Sequence, residues 1–244
     1  MTIPAKAFQR WLHGIAPDAS TADVCRISGI KRTTLAQQLV RGKVSVSTVV
    51  SISRAYGVNP VAALASFEAY RDLAGPQRPP TRGELVSQIS TADLLRAALA
   101  RPAMDPGAPG AEPQRLSAAP HATSVKNWVD AIDDGEVRHR VSAATGVAPQ
   151  NYSAQLTANR LSPELALATA QAAGVGPAGG LVATGLVTEE EAGWPPGGRQ
   201  AALDSMSDGD LTALAGDRLQ ALGKVLKRQE QDQAQTEKIW ENLG

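Results

Sequence analysis

Residues 22–43 read Ala22-Asp-Val-Cys-Arg-Ile-Ser-Gly-Ile-Lys-Arg-Thr-Thr-Leu-Ala-Gln-Gln-Leu-Val-Arg-Gly-Lys43. Just upstream, Ser20-x-x-Asp23 is a capping box, whose hydroxyl and carboxylate satisfy the free N–H groups at a helix start. The helix it opens runs through Ser28 and stops at Gly29, because glycine enters the left-handed region without a Cβ clash. A second short helix follows from about Arg32 to Val40, with Leu35 and Leu39 turned inward. Lys31, Arg32, Thr33 and Thr34 stand at its start, and Gln37 and Gln38 one turn on. Between Lys31 and Lys43 there are four cations and no acid. A helix face that only meets solvent normally mixes signs, so this bias points to an anionic partner.

Outward from this stretch the chain stays helical. Val49, Ile52, Ser53 and Tyr56 recur at i, i+3, i+4 and i+7, one face of a helix ending at Gly57, and Asn59-Pro60 caps and begins another. Gly75 to Arg82 holds three prolines and forms a stiff connector, after which Ser90-x-x-Asp93 caps a helix carrying Leu94, Leu95 and Leu99. Prolines and glycines dominate from Pro102 to Pro120, the composition of an inter-domain linker.

The sequence matches itself at a fixed offset of 117 residues with no gap. Trp11 falls on Trp128, Ile15 on Ile132, Val24 on Val141 and Gly29 on Gly146. Gln38-Leu39 falls on Gln155-Leu156, Ser45 on Ser162, Gly57-Val58 on Gly174-Val175, Pro60 on Pro177 and Leu64 on Leu181. The register persists to Ser90 on Ser207, Asp93-Leu94 on Asp210-Leu211 and Arg101 on Arg218. Matches at Trp, Gly and Pro, residues with particular packing or backbone roles, mark a tandem duplication rather than shared alanine content.

Each copy reads as five helices, a connector and one more helix, an all-α organisation. The divisions are 1–101 for a basic module with its trailing helix, 102–121 for the linker, 122–218 for an acidic second module, and 219–244 for a helical tail. In copy two, Gly193-Trp-Pro-Pro-Gly-Gly is the connector and Ser207-x-x-Asp210 the late cap. The tail carries an apolar stripe, Leu219, Leu222, Val225 and Leu226, and ends with Ile239, Trp240 and Leu243. Two roles fit it: a helix docked on its own domain, or a self-association helix shorter than a coiled coil needs.

Composition narrows the classes. Few aromatics and abundant alanine favour small Leu/Val/Ala-packed helical units. Cys25 is the lone cysteine and lies between Val24 and Ile27, which suits buried packing, and no internal disulfide is available. His13, His121 and His139 are scattered, so neither a metal nor a cofactor is expected. The start shows no basic-then-apolar leader and no apolar run reaches the length of a spanning helix, so a cytoplasmic protein with no membrane partner is expected. No enzymatic constellation is evident. Gly216 to Gly223-Lys224 is too long for a phosphate loop and Val225 replaces its hydroxyl residue, while Asp133-Asp134 has no partner base.

Net charge is zero, but its distribution is uneven. Residues 1–72 carry nine Lys/Arg against four Asp/Glu, and residues 124–192 carry four against eight.

The quoted segment, continued by Ala55-Tyr-Gly-Val-Asn-Pro60 and Leu64, resembles the lambda-repressor-like (XRE) helix-turn-helix family over roughly residues 5–70 and more weakly over 122–187. The carrying elements are the glycine turn between two short helices, the Arg-Gly-Lys after the second, and the Ala-x-Gly-Val-x-Pro close. The resemblance implies two tandem helix-turn-helix modules, the first inserting the helix near Arg32–Val40 into the major groove of double-stranded DNA. Lys31, Arg32, Thr33, Thr34, Gln37 and Gln38 are then the base-contacting residues, since Arg suits guanine, Gln suits adenine and Thr offers a hydroxyl and a methyl. Arg41, Lys43, Ser45 and Ser47, where the chain leaves the groove, are the phosphate contacts.

Copy two departs from this pattern. Ala148 and Pro149 replace Lys31 and Arg32, and Ala158 replaces Arg41. Gln150, Asn151, Ser153, Gln155 and Arg160 remain as possible DNA contacts, while Asp130, Asp133, Asp134 and Glu136 would oppose a polyanion. The expected function is a sequence-specific transcriptional repressor on an operator, similar to the immunity repressors of temperate phages. Self-association through the tail or second module is a further expectation. The competing classes are an antitoxin or adaptor whose acidic half binds protein, with DNA binding incidental, and an architectural protein that coats DNA.

Overall fold

The computed structural model of the chain describes residues 2–76, 78–101 and 115–241, the side chains of 236–241 excepted. Most of the linker and the tail residues Ile239, Trp240 and Leu243 therefore lie outside the described side chains. The described chain is mostly helical. Copy one runs β1 (Ile3–Pro4), α1 (Ala5–Ile15), α2 (Thr21–Ser28), α3 (Arg32–Val40), β2 (Lys43–Val44), α4 (Val46–Ala55), α5 (Pro60–Ala65), a 3-10 segment (Glu68–Ala74), α6 (Arg82–Ser87) and α7 (Thr91–Leu99). Copy two runs α8 (Ser124–Ile132), α9 (Val137–Thr145), α10 (Pro149–Thr157), α11 (Pro163–Ala173), α12 (Gly179–Ala183), α13 (Gly198–Asp204) and α14 (Asp208–Glu241). Among the described residues no helix is long and apolar enough to cross a membrane.

Two features depart from the expected plan. A two-residue antiparallel ribbon pairs Ile3 with Val44 and Pro4 with Lys43. Ile3 and Val44 are fully buried, so the ribbon ties the start of α1 to the exit of α3; a pairing this short leaves no alternation for a sequence pattern to reveal. After each connector there are two helices rather than one. The first connector ends at Thr81, whose side chain accepts from the Glu84 N–H while the Glu84 carboxylate accepts from the Thr81 N–H, a complete capping box for α6.

Contacts divide the chain into two compact units, neither contiguous in sequence: the described residues up to Gln88 with Ala118–Arg199, and Ile89–Ser117 with Gln200 onward. In copy one every element through α6 belongs to the first unit and α7 to the second; in copy two α8 to α12 belong to the first, and most of α13 with α14 to the second.

The first unit has a core that runs through both copies, from Phe8, Leu35, Ile52, Leu64 and Tyr70 to Trp128, Val141, Tyr152 and Leu181. Across the copies, α6 lies against α8. Glu84, 1 % exposed, is the centre of this contact. One carboxylate oxygen caps α6, and the other accepts the indole N–H of the fully buried Trp128 at 3.2 Å. Small residues make the space. A Cβ on Gly179 would stand 2.3 Å from the Glu84 Oε1, and one on Gly180 would stand 2.8 Å from the Trp128 ring. At the other side of this unit, Arg54 of α4 holds Glu191 in a two-pronged pair, Nε–Oε1 2.6 Å and Nη2–Oε2 2.7 Å. Tyr70 donates to Glu164 at 2.6 Å, and Gln171 of α11 donates to Asp72 at 2.6 Å.

The second unit packs α7 against α14 around Ile89, Leu94, Ala98, Leu203, Leu211 and Ala215. Asp93, buried in α7, accepts from Ser90, the Ser117 N–H and Arg96, and although burial raises its pKa these bonds hold it below the ordinary value. Helix α14 continues without a break through residue 219, so the tail prolongs the trailing helix instead of starting a new one. Beyond its core residues it exposes Leu219, Leu222, Val225 and Leu226.

Replacing Glu84 by Ala would leave the Trp128 indole N–H and the Thr81 N–H without their acceptors. It is expected to lower the unfolding free energy by about 1–3 kcal/mol in denaturant titrations followed by tryptophan fluorescence. Glu68→Ala, at an exposed site, should change it by no more than about 0.5 kcal/mol. The Arg54 guanidinium and the Thr188 backbone hold Glu191 below its ordinary pKa of 4.5, against the effect of burial. A depressed carboxyl stabilises the fold above its unfolded pKa, and that contribution fades as pH falls through the folded value. Acid titration of Glu191→Gln should accordingly show a shallower loss of stability below about pH 4.3 than the parent chain.

Candidate nucleic-acid interface

Helix α2 starts where Ser20 accepts the Asp23 N–H at 3.2 Å and ends at Gly29, whose φ of +70° turns the chain into α3. Leu35 is buried and Leu39 half-buried, and these anchor α3 against α2. Lys31 and Arg32, at the start of α3, are exposed, as are Thr33, Thr34 and Gln37 along the helix and Arg41, Lys43 and Ser47 beyond it. Lys31 is the residue before α3 and gives it no side-chain cap, and the first turn holds no acid. The N-terminal end of a helix carries partial positive charge, so Lys31 and Arg32 add like charge where a lone helix would prefer an acid. Among the described residues of copy one, Arg26, Arg54, Arg71, Arg96 and Arg101 each pair with an acid, whereas Lys31, Arg32, Arg41 and Lys43 form no salt bridge. Free N–H groups at a helix start, backed by cations, form a site for an external anion.

Two of the residues expected at this surface have internal work instead. The Gln38 carboxamide oxygen accepts the Ser45 N–H at 3.0 Å and its amide reaches the Ser45 Oγ at 3.4 Å. Ser45 is the N-cap of α4, accepting the Thr48 N–H at 3.2 Å. Gln38 therefore braces the turn from α3 into α4 rather than standing at the exposed face. Copy two repeats the brace: Gln155 accepts the Ser162 N–H at 3.3 Å, and Ser162 caps α11. The repeated Gln and Ser positions carried this signal in the sequence, since a residue kept at the same place in both copies fits a shared structural task.

In copy two the turn at Gly146, φ +70°, leads into α10, where Tyr152 takes the place of Leu35 and is buried with its hydroxyl 2.8 Å from the Thr169 Oγ1. Gln150, Asn151, Ser153 and Arg160 are exposed. Like α3, α10 starts without a side-chain cap; its first residue is Pro149, which has no N–H to satisfy. The turn after α10 uses Asn159 at φ +51° where copy one has Gly42 at φ +71°. Asn159 also accepts the Val125 N–H at 2.9 Å, tying that turn to α8 as the ribbon ties Gly42 to α1.

The acids of copy two do not form an open negative face. Arg138 binds Asp130 at 2.7 Å and Asp133 at 3.0 Å, Lys126 binds Asp130, and Arg140 binds Asp134 at 2.9 Å. Asp133 also accepts the Val137 N–H, and Asp134 accepts the Glu136 N–H, so the pair organises the entry to α9. The repulsion expected of these carboxylates toward a polyanion is thus largely cancelled by their own cations. Cys25 is buried and free. Among the described residues no group of His, Cys, Asp or Glu is arranged to hold a metal ion.

Compared with known proteins, the chain matches no family model, no curated protein and no solved structure.

Gln38→Ala removes both bonds to Ser45 and is expected to lower stability by about 0.5–1.5 kcal/mol in thermal or chemical denaturation. Gln37→Ala, one residue away on the exposed face, should stay within about 0.5 kcal/mol. Equal effects from the two would show that the Gln38 amide is not part of the brace.

Proposed function

We propose that the chain is a sequence-specific, double-stranded-DNA-binding transcriptional regulator of the lambda-repressor-like helix-turn-helix type, acting as a repressor. The observation that carries the reading is the concentration of exposed, uncompensated positive charge at the uncapped start of α3. A helix built this way gains from a polyanion what its own fold withholds. In the groove, Arg32 and Lys31 would address guanine edges, Thr33 and Thr34 the adjacent bases, and Gln37 an adenine. Arg41, Lys43 and Ser47 lie beyond the far end of the same helix, suited to phosphates on the groove wall. Ser45 is already committed to its cap and to Gln38, so its part is to hold the exit turn. The reading calls for no cofactor and no metal.

Fluorescence anisotropy on duplexes enriched by genomic selection tests it. Replacing Lys31 and Arg32 together by Ala should reduce affinity for the selected site by roughly a hundredfold or more, because each good base contact is worth about 1–3 kcal/mol. Arg41→Ala and Lys43→Ala should each weaken all duplexes alike and reduce the slope of log K against log salt by about one. A parent chain that binds no duplex at low ionic strength would refute the proposal.

A further inference from the structure

Some contacts between the copies come in near-equivalent pairs, although the Glu84–Trp128 bond has no such counterpart, Ala201 standing where Glu84 would recur. Arg54, at the end of α4, reaches the acid Glu191 of copy two. Its counterpart 117 residues on, Gln171 near the end of α11, reaches back to the acid Asp72 of copy one, two residues from the position matching Glu191. The second unit shows the same exchange with its own residues. Arg101 donates to the Met206 carbonyl at 3.5 Å, and its counterpart Arg218 donates to the Ile89 carbonyl at 3.4 Å. Ile89 and Met206 are themselves counterparts at the offset of 117. When residue i of one partner meets j of the other and j meets i in return, the interface is of the two-fold, self-complementary kind by which identical subunits pair. Here both partners belong to one chain, and each unit is built from both of them.

The faces of α3 and α10 are left out of this exchange. Their exposed residues differ at every matched position: Lys31 against Ala148, Arg32 against Pro149, Thr33 against Gln150, Thr34 against Asn151, and Gln37 against Ala154. Paired identical modules read a palindrome because each half-site meets the same side chains. Paired modules with different side chains have no reason to do so.

Resting on the DNA-binding reading above, we infer that a single chain is the complete reading unit and takes an asymmetric duplex site of two dissimilar blocks, one met by α3 and one by α10. The α3 block is expected to hold guanine for Lys31 and Arg32, and the α10 block adenine for Gln150 and Asn151, whose carboxamides pair with its N6 and N7. Cations of copy one supply most of the affinity. Copy two, held close by the shared unit and by covalent connection, adds sequence preference at high effective concentration although it has little phosphate attraction of its own.

The test is selection from a random duplex pool with the full chain, followed by native mass spectrometry of the chain on the enriched duplex. The inference expects one chain per duplex and two unlike blocks. Gln150→Ala with Asn151→Ala should erase preference in one block only, and Lys31→Ala with Arg32→Ala should weaken the other. Far-UV circular dichroism matching the parent shows that each variant is folded. Inserting about half a helical turn, ~5 bp, between the blocks should lower affinity about tenfold or more by moving one block to the opposite face. A palindrome occupied by two chains would overturn this inference while leaving DNA binding intact, and so would a site insensitive to both the insertion and the α10 substitutions. Failure to enrich any sequence would overturn both this inference and the function on which it rests.

Discussion

A buried carboxylate joins the two halves of this chain. Glu84 closes the first turn of α6 with one oxygen and receives the Trp128 indole N–H with the other. Charge in an interior is tolerated only when its acceptor sites are filled, so the cap and the indole must both be in place. Trp128 reaches that oxygen only because Gly179 and Gly180 leave no Cβ in the way. Local helix capping in copy one and aromatic burial in copy two thus depend on the same atoms. A helix of six residues, too short to persist alone, becomes a strut between copies.

Duplication placed equal frames side by side, and divergence then separated their surfaces. The positions that brace the frame stayed alike: the glycine turns at Gly29 and Gly146, the Gln38–Ser45 and Gln155–Ser162 contacts, and the caps at Ser90 and Ser207. The exposed positions of α3 and α10 changed throughout. Charge follows the same division. In copy one the cations around α3 face outward without partners, whereas in copy two the arginines of α9 turn back onto Asp130, Asp133 and Asp134. Opposite net charge in the two halves therefore reflects two uses of charge. In copy one it lies exposed around α3, and in copy two it holds the fold together.

The helices around residues 20–57, the connectors and the late caps were legible because their causes are local: a cap hydroxyl, a glycine with positive φ, an apolar face at helical spacing. Helix α6 was legible in principle through Thr81-x-x-Glu84, the same box that marks Ser20 and Ser90, but the adjacent prolines masked it as connector. The exposed face of α3 could be read because its neighbours in sequence are also its neighbours in space. Gln38 could not, since whether a carboxamide faces outward or bends to a backbone N–H seven residues away depends on the path of the turn between them.

Sequence alone determined the repeat, the helical character and the imbalance of charge, since each is a property of spacing or composition. Tertiary structure decided which helix crosses to the other copy, which acids are neutralised, and how each compact unit draws on both halves. Those outcomes depend on contacts between residues tens to more than a hundred positions apart, such as Arg54 with Glu191 and Glu84 with Trp128, and no local pattern of residues encodes which distant partner will fill a given hydrogen bond.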